Sequence, residues 1–132
     1  MADQHPVEII LARGLMSNLT TAAFLVDTEG TLIFFNDAAG ELLGLRFEEA
    51  GPMPADEWGT RFTPRDRSGA PIPVEELPLV AALGKQQPAH GQMWVQSDRG
   101  EEHGLDVHAL PIIGSGGMRG ALAIFWDIPD SG

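Results

Sequence analysis

The sequence predicts an α+β fold in which short helices cover one face of an antiparallel sheet. Three stretches carry that reading. Residues 22–44, AAFLVDTEGTLIFFNDAAGELLG, hold two apolar runs around an acidic turn, followed by a small capped helix. Residues 74–86 hold an amphipathic helix. Residues 92–128 hold three more apolar runs separated by two glycine-containing turns, the pattern of an antiparallel meander.

Taken in order, His5-Pro6 marks a helix start, because proline at the first helical position gives up no hydrogen bond. Val7, Ile10, Leu11, Leu15 and Leu19 then recur at three- and four-residue steps, an apolar stripe on a helix that frays around Ser17-Asn18. This helix, residues 1–19, needs a surface. Two roles are open to it: a cap on its own domain, or a face that pairs with a second copy. Residues 20–132 form the domain body, since 132 residues suffice for one core and hardly for two.

The run from Ala22 to Val26 is too short for a stable helix and reads as a strand. Asp27-Thr28-Glu29-Gly30 supplies turn chemistry, and residues 31–35 return as the second strand of a hairpin. Asn36 or Asp37 then caps a helix carrying Ala38, Leu42 and Leu43, which Gly44 ends. Residues 45–50 offer one more helical turn. Residues 51–73, rich in proline and turn formers around Trp58 and Phe62, read as irregular, and such loops often carry function. Over 74–86 the pattern clears: Glu75 and Glu76 favour the positive end of a helix dipole, Leu77, Val80, Ala81 and Leu83 form its apolar side, and Gly84-Lys85 marks its exit.

Strands follow over 92–97, 102–112 and 118–128, joined by turns at 98–101 and 114–117. In the last strand Ala121, Ala123 and Phe125 alternate with Leu122, Ile124 and Trp126, so both faces are apolar and both require cover. The central helices can cover one face. The other needs the N-terminal helix, a partner chain, or both.

Composition narrows function. Eight basic against nineteen acidic side chains give a formal charge of -11, which repels nucleic acid and anionic membranes. The absence of cysteine excludes disulfides, thiolate catalysis and cysteine-ligated metals. No leader-like segment and no apolar run near the ~20 residues needed to span a bilayer is present; a cytoplasmic location is expected. No serine-histidine-acid set or paired carboxylates stand at interpretable spacing, so no enzyme activity is expected.

The order of two strands, short helices, one longer helix and three strands resembles the PAS sensory domain family. The resemblance covers about residues 20–128 and rests on AAFLVDTEGTLIFFNDAAGELLG, EELPLVAALGK, SDRGEEHGLDVHALPI and the terminal GALAIFWDI. The last looks like the family's closing strand and its Asp-Ile-Thr ending, with Pro129 in place of threonine. The resemblance implies a five-stranded antiparallel sheet in the order 2-1-5-4-3, with helices enclosing a cavity that in some members holds haem, flavin or a metabolite. It also implies a sensory or regulatory role in signal transduction, with a homodimer and a downstream signalling protein as partners. In the family, signals leave through a helix after that ending. Here residues 127–132 stop instead, and both a stand-alone module and a fragment cut before its effector stay open.

By strand phase and resemblance, the cavity-facing residues are Phe24, Val26, Leu32, Phe34, Met93, Val95, Leu105, Val107, Ala109, Ala123 and Phe125, joined by Leu77, Val80 and Ala81 from the helix. This apolar set is either a filled core, giving a ligand-free dimerisation scaffold, or a container for a small apolar ligand such as a fatty acid. Light-sensing flavin members use an adduct-forming cysteine, which this chain lacks. Haem members use a histidine in or just after the long helix; His90 is the nearest one here.

Among polar groups, His103 and His108 point to opposite faces of a strand, which leaves Asp106 and His108 as a two-ligand set, poor for a metal. Residues 114–120, GSGGMRG, resemble a phosphate loop, yet they connect two strands and lack the lysine-serine ending. The outer sheet face is the expected interaction surface. Trp94, His108, Leu110, Leu122, Ile124 and Trp126 share it by phase, and Val7, Ile10, Leu11 and Leu15 of the N-terminal helix are its expected companions.

Overall fold

The computed structural model describes residues 6–128. Helix α1 (Val7–Met16) leads into strands β1 (Ala22–Val26) and β2 (Leu32–Phe35), then helices α2 (Asp37–Leu43), α3 (Phe47–Ala50) and α4 (Ala55–Arg61). A 3-10 turn (Val74–Glu76) precedes α5 (Pro78–Lys85), and β3 (Ala89–Gln96), β4 (Glu102–Gly114) and β5 (Gly117–Asp127) close the chain. All strand pairs are antiparallel and the sheet order is β2-β1-β5-β4-β3, as the resemblance implies.

The sheet divides the apolar residues into two clusters. Helices α2 to α5 cover the inner face, where Phe24, Val26, Leu32, Trp58, Phe62, Leu79 and Phe125 belong to the main core. On the outer face α1 lays Ile9 and Met16 over Ala23 and Leu25, flanked by Leu122 and Ile124. This explains why β1 is buried along its whole length. The cap role of α1 is therefore present, but through a different side of the helix from the expected one. Ile9 and Met16 are 2% and 1% exposed, while the stripe of Val7, Ile10, Leu11 and Leu15 faces solvent. Both sides of this helix are apolar, so spacing alone does not choose between them.

Phe34 is a second correction. It does not face the cavity. Leu25 pairs with Phe34 but Val26 pairs with Leu32, so Ile33 is an extra residue in β2. Such a bulge breaks the alternation of side chains; Ile33 and Phe34 both join the outer cluster, while Phe35 enters the main core at 2% exposure. Phe34 instead lies under the Arg13 guanidinium, 4.5 Å from its ring centre, and edge-on to Phe47.

The expected helix over 74–86 is shorter. Leu77 is extended, with ψ 140°, because the ring of Pro78 disfavours helical geometry in the preceding residue. Restarting at Pro78 turns Leu79 and Ala82 inward, leaving Val80 and Ala81 half-buried. The stretch read as irregular contains α4, whose Trp58 donates from Nε1 to the Gly30 carbonyl at 2.8 Å and so pins the β1–β2 turn. Beyond α4, Arg65 and Trp94 exchange backbone hydrogen bonds of 2.9 Å, and the Gln96 N–H donates to Phe62. The loop thereby occupies the outer edge of β3 at Trp94 and Gln96, which would otherwise present open pairing groups there.

One polar side chain ties these layers together. Asn36 is 3% exposed and makes four hydrogen bonds. Its Oδ1 accepts from the Ala39 N–H, capping α2, and from the Ala23 N–H on β1. Its Nδ2 donates to the carbonyls of Met16 and Thr21.

Candidate functional site

Between the inner sheet face and the helices lies an apolar cavity of about 60 Å³. Of the residues expected there, Phe24, Leu77, Met93, Val95, Leu105, Val107, Ala123 and Phe125 line it. Val26, Leu32 and Ala109 are buried in the surrounding core without lining it. Val80 and Ala81 also stand off it, for the helical phase described above. The helix side is supplied by Leu43, Trp58, Phe62, Pro78 and Leu79, which strand alternation cannot reveal.

Ligand pockets ordinarily span roughly 300–1,000 Å³, so the lining side chains already fill most of the space. A fatty acid or a planar cofactor requires them to move. Phe24 shows how tightly they interlock: it meets Trp58 and Phe125 edge-on at centroid distances of 6.1 and 5.2 Å. His90 is not placed to ligate a haem in this cavity. It projects from the opposite face of β3, beside His108.

The outer face is divided. Leu122 and Ile124 lie under α1 and are not free, whereas Leu110 and Trp126 are 44% and 39% exposed. Trp94 lies across Gly104, where an added Cβ would come within 2.5 Å of its Nε1, and Arg67 sits over its ring. Farther along, His90 stacks on His108 at 4.2 Å and His108 stacks on Trp126 at 5.1 Å. His103 lies apart from this group, 3.1 Å from an oxygen of Asp127. The separation of His103 from His108 thus agrees with strand phase, but the neighbours of Asp106 include His90 as well, brought in by the pairing of β3 with β4.

The polarity of the two faces fits a recognition domain: an apolar interior without acid–base groups, and chemistry displayed outside. A profile of the family described as PAS fold matches residues 11–128. The chain belongs to the PAS family. Solved PAS structures share the fold. A PAS domain from Colwellia psychrerythraea is 22% identical, with a TM-score of 0.64 over 90% of this chain and 97% of that one. The PAS domain of Bordetella pertussis BvgS is 16% identical, with a TM-score of 0.63 over 94% of this chain and 88% of its own. A LOV protein of Rhodobacter sphaeroides is 15% identical, with a TM-score of 0.72 over 96% of this chain and 71% of that protein. No curated protein matches in sequence. PAS domains are sensory and signalling modules, and among the described residues no helix is long and apolar enough to cross a membrane.

Proposed function

We propose that this PAS domain is a regulatory module of signal transduction that acts through association, pairing with a second copy of itself and presenting the pair to a downstream signalling protein. The observation that carries this reading is the outward stripe of α1. Val7, Ile10, Leu11 and Leu15 are 58–66% exposed on one side of a helix whose other side is anchored to the sheet. A row of large apolar side chains held rigidly in water is the form an association surface takes. As part of this reading the module acts in the cytoplasm and is not an enzyme.

A second reading is supported by the cavity, whose wholly apolar lining suits a small apolar molecule and offers no polar anchor for a charged one. Its size of about 60 Å³ favours the ligand-free scaffold over a container. Sedimentation velocity of the purified chain tests association, with a concentration-dependent dimer expected and a monomer at all concentrations overturning it. Native mass spectrometry and an absorption spectrum of the same sample distinguish a mass equal to polypeptide alone from one with a retained ligand.

A further inference from the structure

On the outer face, at the end of the sheet that α1 leaves bare, three ligand-bearing side chains converge from two strands. His90 on β3 is paired in register with His108 on β4, and Asp106 precedes His108 by two residues, so all three project from the same side. Asp106 Oδ1 accepts from His90 Nε2 at 2.5 Å and lies 3.5 Å from His108 Nε2. Within the trio, one ligand atom from each residue lies within 4.8 Å of the others.

We propose that His90, Asp106 and His108 form a surface binding site for one divalent transition-metal ion of the Zn2+ class. Two imidazoles and a carboxylate are a ligand set such ions accept, with water completing the coordination. Tetrahedral coordination at ~2.0–2.1 Å spaces neighbouring ligand atoms by about 3.3 Å, which the three atoms reach by small side-chain rotations. The backbone underneath need not move, since paired strands fix both histidines. The rings are now stacked with planes 21° apart, and to aim both Nε2 lone pairs at one point they must fan open. His90 is free to do so, with its side chain 53% exposed. His108 is backed by the Trp126 ring, 16° from parallel, which limits its orientations and holds it facing Asp106. Asp106 meets His90 along the same edge that an ion would occupy, so the ion would take the place of that hydrogen bond. The hard cation Mg2+, which demands oxygen ligands, is a poor occupant.

The test is isothermal titration of untagged chain with ZnCl2, and with MgCl2 in parallel. One equivalent of Zn2+ per chain and no Mg2+ uptake are expected. His90→Asn, His108→Asn and Asp106→Asn each weaken Zn2+ binding at least about tenfold, because loss of a ligand costs no less than loss of a group supporting one; His103→Asn leaves it unchanged. A readout that needs no variant is the histidine ring spectrum of the wild-type chain: Zn2+ shifts the ring resonances of His90 and His108 and leaves those of His103 in place. Absence of stoichiometric binding, uniform affinity across the variants, or shifts at His103 alone overturns the assignment.

Discussion

The side-chain amide of Asn36 donates to the carbonyl of Met16 at 3.1 Å, joining the end of α1 to the start of α2 across twenty residues of chain. The same nitrogen holds Thr21, and the amide oxygen holds Ala23 and Ala39. Four backbone groups thus depend on one buried side chain, three of them outside the helix it caps.

Asn36→Ala is therefore expected to cost about 3 kcal/mol: about 1 for the lost helix cap and the remainder for backbone groups left buried without partners. Urea unfolding measures it. Asn36→Asp separates the two roles. It keeps acceptors for Ala23 and Ala39 but turns a carboxylate oxygen toward two carbonyls. Hydrogen exchange should then quicken in α1 while α2 stays protected. Equal loss of protection in both, with the cap acceptor retained, would show that the bridge to Met16 and the cap do not act separately.

The bulge in β2 makes adjacent phenylalanines unequal. Phe35→Ala removes a ring from the main core and should destabilise by about 3–4 kcal/mol. Phe34→Ala removes a half-buried ring with its Arg13 contact and should cost about 1–2 kcal/mol. Equal costs in chemical denaturation would contradict the register described for β1 and β2.

Asp66 provides a pH test. Its carboxyl is held below the ordinary 3.8, first by the hydrogen bond from the Ser68 hydroxyl and then by the backbone N–H of Ala70, with burial opposing them and further backbone N–H groups, those of Ser68 and Gly69, adding to the lowering. A depressed folded-state pKa favours the ionised carboxylate in the folded chain. That contribution is fully present above 3.8 and is lost as pH falls through the lower folded value. Carboxyl-carbon NMR should give a midpoint below 3.8 for the wild type, and Ser68→Ala should move it upward. An unmoved midpoint would remove Ser68 as the leading cause.

Most of the sheet was legible in the sequence because alternation is a local property. The inward residues Phe24, Val26, Leu105, Val107, Ala123 and Phe125 follow from it directly, and all are buried. The departures have causes that alternation does not carry. Phe34 lies on the outer face because its strand carries an extra residue, next to where Leu32 also bonds to Met53 on its other side. Val80 and Ala81 stand off the cavity because the helix begins at Pro78 and not at Val74, a break that the proline itself signals. The grouping of His90 with Asp106 and His108 depends on the register between two strands, which neither segment encodes alone. Trp58, by contrast, was visible as a large apolar residue in a region of turns, and its burial could have been expected from that isolation.

The exposed face of α1 yields the sharpest test of association. Ile9 and Met16 fix the helix to the sheet, so changes on the opposite side should leave the fold intact. Leu11 and Leu15, each 66% exposed, are the obvious sites. In a dimer built on this stripe, Leu11→Glu with Leu15→Glu places carboxylates in an apolar contact, where an unpaired buried charge costs about 3–5 kcal/mol. That corresponds to weakening by a factor of about 100 or more, measured by sedimentation equilibrium. Trp126→Glu asks the same of the outer sheet face and should also weaken the dimer if that face takes part. Ile9→Glu is the contrasting case. It should release α1 from the sheet, lowering the unfolding midpoint, whereas the double glutamate variant should melt as the wild-type monomer does. A dimer unaffected by the double variant would remove α1 from the interface and leave Trp126 and the bare half of the sheet as the surface to dissect.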